Sequence, residues 1–395
     1  MVVEFLARRF DNAELVRVEV EHGRIARIGA VADPPGGSER GWPWVAPGFW
    51  DLQVNGYGGQ EFSALDLSIE KVARIVRDHY AYGVTRICPT LTTQSDEVLA
   101  HGLATIAAAC ESLADVDRLV AGIHLEGPYL SPEDGPRGAH PARHCRRPDW
   151  DHFARLQEAA RGRIRLVTLS PEFDEAPEFV RRATSSGVVV ALGHMSADGR
   201  QIRAAVDAGA RLSTHLGNGA HGTLRRHPNY IWHQLANDRL MASLIVDGHH
   251  LPPEVVQTMV RGKTPARVIL VSDESGLAGL PPGRYSSSGC ELEILADGRL
   301  VIAGQDQLLA GASLPLTVGV ANVMRFAGID LATAIEMVTT NPARLLSTTA
   351  GSLRPGDPAD LVLFDLPAEA SAPLDVRATL ADGRVVFGTI PAAGG

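Results

Sequence analysis

Residues 122–128 read Gly-Ile-His-Leu-Glu-Gly-Pro, a short apolar run that ends in a carboxylate, Glu126. Three later apolar runs also end in a chemically active side chain: Val190-Ala-Leu-Gly-His194, Leu212-Ser-Thr-His215 and Ile269-Leu-Val-Ser-Asp273. A barrel of parallel strands carries its chemistry at the C-terminal ends of the strands. One carboxylate, two imidazoles and a further carboxylate at such ends are therefore the layout of a metal-dependent hydrolase.

The sequence around these four residues alternates between strand and helix patterns. Helices are predicted over 69–82 and over 198–208, the second capped by Ser196 or Asp198. Eight β-branched, nearly continuous apolar runs, typical of buried parallel strands, lie at 48–54, 84–90, 119–125, 164–169, 188–193, 210–214, 241–246 and 267–272. Eight such units predict an α/β fold, a (β/α)8 TIM barrel. A doubly wound sheet is the main alternative, but the chain has no Gly-x-Gly-x-x-Gly opening.

Both ends of the chain carry short alternating strands separated by tight turns. The pattern predicts a hairpin near 15–28 and further strands over 359–387. We therefore expect residues 1–45 and 350–395 to form one small β-sandwich domain. The hydrolase barrel would occupy 46–349. After the eighth strand, the sequence predicts a β-hairpin over 283–303 and then helices over 315–326 and 331–338.

Composition narrows the class of protein. The net charge of −9 over 395 residues argues against a nucleic-acid binder, which usually has a basic face. The N-terminus has no signal-peptide stretch, and no run reaches membrane-spanning length. Four cysteines without Cys-x-x-Cys spacing indicate reduced thiols. We expect a cytoplasmic protein that binds neither nucleic acid nor membrane.

The strand-end residues suggest a division of roles. A catalytic zinc takes three protein ligands and keeps one position open, and Glu126, His194 and His215 supply such a set. Because no thiolate takes part, one divalent ion, zinc or iron(II), fits. Asp273 would act as the base that takes a proton from the attacking water and returns it to the leaving nitrogen. Its alternative role is a helix cap. Glu274 should point to the opposite side of the strand.

Several short motifs occur in an order that resembles a known family. They are Ala46-Pro-Gly-Phe-Trp-Asp-Leu-Gln, His124-Leu-Glu-Gly-Pro, Gly138-Ala-His, Gly193-His, Thr214-His-Leu-Gly-Asn, Asp247-Gly-His-His, Val271-Ser-Asp and Asn341-Pro-Ala-Arg. In this order the chain resembles the amidohydrolase superfamily and, within it, the N-acetylglucosamine-6-phosphate deacetylases. The resemblance implies removal of the N-acetyl group from an amino sugar, most simply N-acetylglucosamine-6-phosphate, by a homodimer.

The resemblance also implies a single-metal site. Many amidohydrolases carry His-x-His on the first strand, which holds a second metal, whereas this chain has Gln53 and Asn55 there. Neutral amides are poor metal ligands, so these two side chains are expected at the mouth, near the water and the substrate. His140 matches a histidine that contacts the sugar or the carbonyl oxygen, and it would stabilise the developing oxyanion.

Four further residues match substrate contacts of the family. Asn218 and Gly219 match a substrate-binding loop. Arg226 and His250 match positions that contact the sugar phosphate, partly across the dimer interface. Arginine suits phosphate because its planar fork donates two parallel hydrogen bonds.

The chain departs from the family pattern in two places. Residues 217–232 carry the unusual side chains His221, His227, Tyr230 and Trp232, and Glu274 replaces a small residue. These changes leave open a deacetylase of a non-phosphorylated or different N-acyl amino sugar, or of another N-acyl amine. A non-catalytic barrel is the third alternative, although such a protein would be expected to have lost one of the four strand-end residues.

Overall fold

The computed structural model describes residues 2–32, 41–287, 290–369 and 372–390. The strands in chain order are β1 Val3–Arg9, β2 Leu15–Glu21, β3 Arg24–Ala30, β4 Trp44–Pro47, β5 Phe49–Val54, β6 Gly56–Tyr57, β7 Gln60–Glu61, β8 Val84–Thr92, β9 Ile123–Glu126, β10 Ile164–Leu169, β11 Val189–Leu192, β12 Leu212–Ser213, β13 Met241–Leu244, β14 Val268–Leu270, β15 Gly283–Ser287, β16 Cys290–Ile294, β17 Leu300–Ile302, β18 Gln305–Leu309, β19 Leu361–Asp365, β20 Asp375–Ala381 and β21 Arg384–Gly388.

The α-helices are α1 Ile69–Asp78, α2 Asp96–Ser112, α3 Ala114–Leu119, α4 Trp150–Ala159, α5 Ala176–Ser185, α6 Gly199–Ala208, α7 Tyr230–Leu235, α8 Pro253–Lys263, α9 Leu316–Ala327, α10 Leu331–Glu336 and α11 Thr340–Leu345. Short 3-10 helices lie at His79–Tyr82, Ala142–His144 and Pro265–Arg267. No described helix is long and apolar enough to span a membrane.

Eight parallel strands form the central sheet, in the order β5-β8-β9-β10-β11-β12-β13-β14. The sheet closes on itself just beyond β14, where the Asp273 amide donates to the Gln53 carbonyl (2.9 Å) and the Asn55 amide donates to the Glu274 carbonyl (2.8 Å). Helices lie between successive strands in the chain. The predicted (β/α)8 barrel is therefore confirmed.

The barrel interior is divided by polarity. An apolar cluster that includes Trp50, Leu52, Leu166, Met241 and Ile269 fills the inside of the barrel. Side chains inside a barrel of eight strands pack in layers and leave no pore. The polar residues that follow the C-terminal strand ends therefore lie above a solid apolar plug, which gives them a rigid support.

Both ends of the chain join one mixed sheet, in the order β21-β20-β19-β4-β1-β2-β3. Its strands share one apolar core, with Phe5 and Val18 from the N-terminal part and Leu361 and Leu380 from the C-terminal part. The termini thus build a common β-domain. The predicted division at residue 45 lies inside β4. Because β4 belongs to this sheet and β5 to the barrel, we propose that the barrel begins between Pro47 and Phe49 and that the second boundary lies near residue 350.

Some boundaries differ from the expectations. Residues 119–122 are not strand, because Leu119 ends α3, where Val116 and Leu119 bury one helical face. The helix expected over 69–82 becomes 3-10 after Asp78. The hairpin expected over 283–303 is a four-stranded antiparallel sheet, β15 to β18. Helix α6 is capped by Asp198, which forms a capping box with Gln201.

Candidate active site

Three donor atoms converge at the C-terminal end of the barrel. Glu126 Oε1 lies 3.2 Å from His194 Nε2 and 3.0 Å from His215 Nε2, and the two imidazole nitrogens are 3.1 Å apart. All three side chains are buried. Ligands of one zinc ion lie about 2.0–2.2 Å from it, which sets their mutual separation at roughly 3–3.5 Å. The donor set and its spacing therefore fit a single divalent ion.

The surrounding residues aim these donors inward. His194 Nδ1 donates to the Pro136 carbonyl (2.9 Å), so the lone pair of Nε2 is free to bind a metal. The His215 amide donates to Ser243 Oγ (2.7 Å), and Gln53 Nε2 donates to Glu126 Oε1 (3.0 Å). Gln53 therefore lies beside the Glu126 carboxylate.

Two glycines hold the His194 ring from the loops above it. A Cβ added to Gly219 would lie 2.6 Å from His194 Nδ1, and one added to Gly138 would lie 3.3 Å from its Cε1. Both glycines also have a positive φ, +56° and +58° respectively, which side chains disfavour. The structure thus places Gly219 against the His194 ring, closer to the centre than a purely peripheral substrate loop.

The surroundings of Glu126 and Asp273 shift the pKa values of these two carboxyl groups in opposite directions. Burial raises the pKa of Glu126, but its contacts with His194 and His215 outweigh burial and hold this pKa well below the ordinary value. Burial and the charge of Glu126 raise the pKa of Asp273 to about 6. Paired carboxylates with pKa values pushed apart divide naturally into a constant anion and a proton carrier.

Asp273 is oriented by Asn55. Asn55 Nδ2 donates to Asp273 Oδ1 at 2.8 Å, and the backbone of Asp273 is left-handed, with φ of +55°. Both residues are half-buried. Because the amide donates to the carboxylate, it stabilises the ionised form and fixes the direction of the free oxygen.

His140 joins the cluster from the loop after β9. Its Nε2 lies 3.3 Å from His194 Nε2, and its Nδ1 accepts a long hydrogen bond from the Thr93 amide (3.4 Å). Burial lowers the pKa of His140 to about 3, so the ring is neutral, with its proton on Nε2. Donor atoms of Glu126, His140 and His194 also lie within 4.8 Å of one another. We favour His215 as the third ligand, because its separations are shorter and because His140 Nε2 bears a proton.

Comparison with known proteins identifies the family of this chain. The amidohydrolase family model matches residues 44–389, which cover the barrel and the strands β4, β19, β20 and β21 of the β-domain. The chain belongs to the amidohydrolase family. The human N-acetylglucosamine-6-phosphate deacetylase is 34% identical over 355 residues, which span 87% of this chain and 83% of that protein. An Escherichia coli N-acetylgalactosamine-6-phosphate deacetylase is 30% identical over 351 residues, 88% of this chain and 90% of that protein.

Solved structures give the same result. The Mycobacterium smegmatis N-acetyl-D-glucosamine-6-phosphate deacetylase superposes with a TM-score of 0.83 and 32% identity, covering 98% of this chain and 100% of that one. A mutant of that enzyme, solved in complex with N-acetyl-D-glucosamine-6-phosphate, also gives 0.83, with 31% identity over 98% of this chain and 99% of that one. The amidohydrolase barrel and its added β-domain thus correspond over nearly the whole chain.

The other substrate candidates of this amidohydrolase lie on the mouth loops. Asn218 Nδ2 is buried and has no hydrogen-bond partner among the described residues. His250 Nδ1 donates to Asp247 Oδ2 (2.6 Å). A positive charge on His250 lowers the pKa of Asp273, although burial and the effects of Glu126, His215 and Asn55 are larger. Arg226 is exposed on the loop between β12 and α7. The structure therefore brings His250 near Asp273 but leaves Arg226 on the surface.

Sequence reasoning missed several supporting residues. Arg137 donates to the His140 carbonyl at 2.9 Å and so holds the loop that carries His140. His221 Nε2 lies 3.2 Å from Glu133 Oε2, and its Nδ1 lies 3.0 Å from the Tyr230 hydroxyl. The unusual His221 thus joins two mouth loops. The sequence marks His221 and Tyr230 as unusual side chains, but no motif signals the contact with Glu133, which lies 88 residues from His221.

Proposed function

We propose that this amidohydrolase removes the N-acetyl group from an amino sugar 6-phosphate, with N-acetylglucosamine-6-phosphate as the first candidate and glucosamine-6-phosphate and acetate as products. The observation that carries the proposal is the convergence of Glu126, His194 and His215 beside the Asn55–Asp273 pair. Relatives with 30–34% identity over most of the chain are named as deacetylases of such sugars.

We assign Glu126, His194 and His215 as ligands of one zinc or iron(II) ion. When bound, such an ion would acidify a water and polarise the amide carbonyl. Gln53 keeps the Glu126 carboxylate oriented through its 3.0 Å hydrogen bond. With amides in place of histidines on the first strand, a second ion has no ligands there.

The remaining residues move the proton and hold the substrate. Asp273 takes the proton of the attacking water and delivers it to the leaving nitrogen, which needs a group whose pKa lies near the working pH. The neutral His140 donates a hydrogen bond from its Nε2–H group to the carbonyl oxygen as negative charge develops there, and its proton stays on the ring. Asn218, whose Nδ2 lacks a partner, would donate to a substrate oxygen. Arg226 and His250 would contact the phosphate.

A second candidate substrate is N-acetylgalactosamine-6-phosphate. Deacetylases of this sugar from Escherichia coli and a Shewanella strain are 30% and 32% identical to this chain. The two sugars differ only in the configuration of one hydroxyl group. That hydroxyl is remote from the acetamide, so the same metal and proton chemistry serves both.

One experiment tests the proposal: acetate release from both 6-phosphates and from the two free N-acetyl sugars, with metal-reconstituted protein. We expect turnover of at least one 6-phosphate to exceed that of its free sugar by tenfold or more. Equal rates with and without phosphate would move the function to a non-phosphorylated N-acyl amine. Absence of turnover on every acetylated sugar, in protein that holds its metal, would overturn the proposal. A homodimeric, cytoplasmic enzyme stays a prediction.

A further inference from the structure

Asp273 and Glu274 are consecutive residues whose side chains point in opposite directions. Asp273 faces Asn55, Glu126 and His215, whereas Glu274 faces His79 on the other side of the strand end. Glu274 and His79 are each 1% exposed, and Glu274 Oε2 lies 3.0 Å from His79 Nε2. A buried carboxylate of this kind needs a specific partner, because burial without one is costly.

The protonation state of the pair follows from its hydrogen bonds. His79 Nδ1 lies 2.7 Å from the Ile75 carbonyl, which can only accept, so Nδ1 carries a proton. The contact between Nε2 and Glu274 then requires a second proton between them. Burial lowers the pKa of His79. The hydrogen bond to Glu274 and the charge of Glu274 raise this pKa and outweigh burial, so the pKa of His79 lies above its ordinary value. The two buried side chains are therefore joined by a hydrogen bond that holds one proton between His79 Nε2 and Glu274 Oε2.

The backbone of Glu274 is part of the barrel closure. The Glu274 carbonyl accepts a hydrogen bond from the Asn55 amide (2.8 Å). Glu274 also forms isolated parallel β-bridges with Val54 and with Ala312. Asn55 is also the residue that donates to Asp273 Oδ1. Any shift of Glu274 is thus passed directly to both members of the Asn55–Asp273 pair.

The partner histidine is fixed from its own side. The His79 ring packs edge-on against Tyr57, with centroids 5.2 Å apart, and the Tyr57 hydroxyl lies 2.5 Å from that of Tyr82. A Cβ on Gly279 would meet the Tyr57 ring at 2.3 Å, so the loop after Asp273 packs tightly on the same aromatic group. His79 is therefore a rigid anchor rather than a mobile partner.

We propose that Glu274 and His79 are positioning residues that hold Asp273 in its left-handed conformation, aligned for proton transfer. A non-glycine residue at φ of +55° is strained and persists only where its surroundings over-determine it. The buried pair supplies that constraint immediately next to Asp273. This inference rests on the proposed function, because it assigns Asp273 the proton-transfer role.

A set of matched variants tests the pair. Glu274→Asp keeps the charge but is one methylene too short to reach His79, whereas Glu274→Gln keeps the length and can donate to a neutral His79. We expect Glu274→Asp, Glu274→Ala and His79→Ala to lower kcat by roughly tenfold, with KM and metal content unchanged. Glu274→Gln should stay within about threefold of wild type. The His79→Ala/Glu274→Ala double variant should be no slower than either single variant, because coupled residues are not additive.

Lys263→Met supplies the stability control. Lys263 is fully buried and donates to the Asn237 and Leu240 carbonyls (2.7 Å each). Neither of these residues is among the partners of Asp273, Glu274 or His79 described above. Its loss should lower the melting temperature while kcat stays at the wild-type value.

Several outcomes would overturn the positioning role: equal kcat in the Asp and Gln variants, additive effects in the double variant, or a wild-type kcat in Glu274→Asp. If the alanine variants do not fold, the comparison of Glu274→Asp with Glu274→Gln still decides. A wild-type protein that deacetylates no sugar would instead refute the proposed function.

Discussion

Replacing Gly219 by alanine should damage the site through a single methyl group. The added Cβ would lie 2.6 Å from His194 Nδ1, whereas ordinary contacts begin near 3.4 Å. The His194 ring would have to move by about 0.8 Å, the difference between these distances. That nitrogen donates to the Pro136 carbonyl, so the same shift disturbs the hydrogen bond that directs Nε2 inward.

The expected loss follows from the size of the shift. Misplacement of a catalytic group by about 1 Å costs roughly a hundredfold in rate, and loss of an outer-shell contact lowers metal affinity by about 10- to 100-fold. We therefore expect Gly219→Ala to lower kcat/KM about a hundredfold and to release its metal more readily to a chelator. The left-handed backbone adds a stability cost of about 1–2 kcal/mol.

Two glycines of the mouth loops calibrate this result. Gly138 has a similar φ, +58°, but its Cβ would lie 3.3 Å from His194 Cε1, so Gly138→Ala carries the backbone cost almost without a ring shift. Gly222 has open space within 4 Å and no positive φ, so Gly222→Ala should be neutral. Steady-state acetate release, chelator competition and melting temperature measure all three variants. A Gly219→Ala enzyme that matches Gly138→Ala in kcat/KM and metal retention would refute the argument.

Four further predictions follow from the assigned roles. The protein should hold about one divalent ion, which Glu126→Gln should lose in elemental analysis; two tightly bound ions would contradict the single-metal assignment. Asp273→Asn should keep the metal but lower kcat by roughly 10²-fold or more, and loss of metal would instead make Asp273 a ligand. Arg226→Ala should lower kcat/KM for a 6-phosphate by about ten- to a hundredfold and spare the free sugar. Because burial raises the pKa of Asp273 to about 6 and a bound cation would pull it down, kcat should fall only as the pH drops below about 6; a limb above pH 7 would assign the proton to another group.

Sequence patterns predicted the barrel because burial on both faces leaves a strong signal. The run over 164–169 matches β10 residue for residue, and the runs at 48–54 and 84–90 match β5 and β8 closely. The run at 119–125 failed at its start, since Leu119 belongs to α3, where it shares one buried helical face with Val116 at i, i+3 spacing. Short apolar runs fit either period, and only tertiary packing decides between them.

Some residues of the candidate site could likewise be predicted from the sequence, whereas the contacts that support them could not. Glu126, His194, His215 and Asp273 could be proposed because each follows a strand, and strand order brings them to one edge. The support of His194 by the Pro136 carbonyl could not, because any residue supplies a carbonyl and the contact depends on loop conformation. The partner of Glu274 was equally hidden, since His79 lies 195 residues away in sequence.

The backbone at the strand ends explains why these side chains converge. His194, His215 and Asp273 each come shortly after the last residue of a regular strand, and all three have positive φ values, +50°, +27° and +55° respectively. In an extended strand, alternate side chains point toward and away from the barrel axis. A left-handed residue breaks that alternation at the strand end, and here each such residue faces the same cluster of polar groups. Such conformations cost of order 1–3 kcal/mol each and persist where the surroundings fix them. At His194 this constraint comes from Gly138, Gly219 and the Pro136 carbonyl, and at His215 it comes from Ser243. The site therefore depends on strained strand ends held by neighbouring loops as much as on the identity of its ligands.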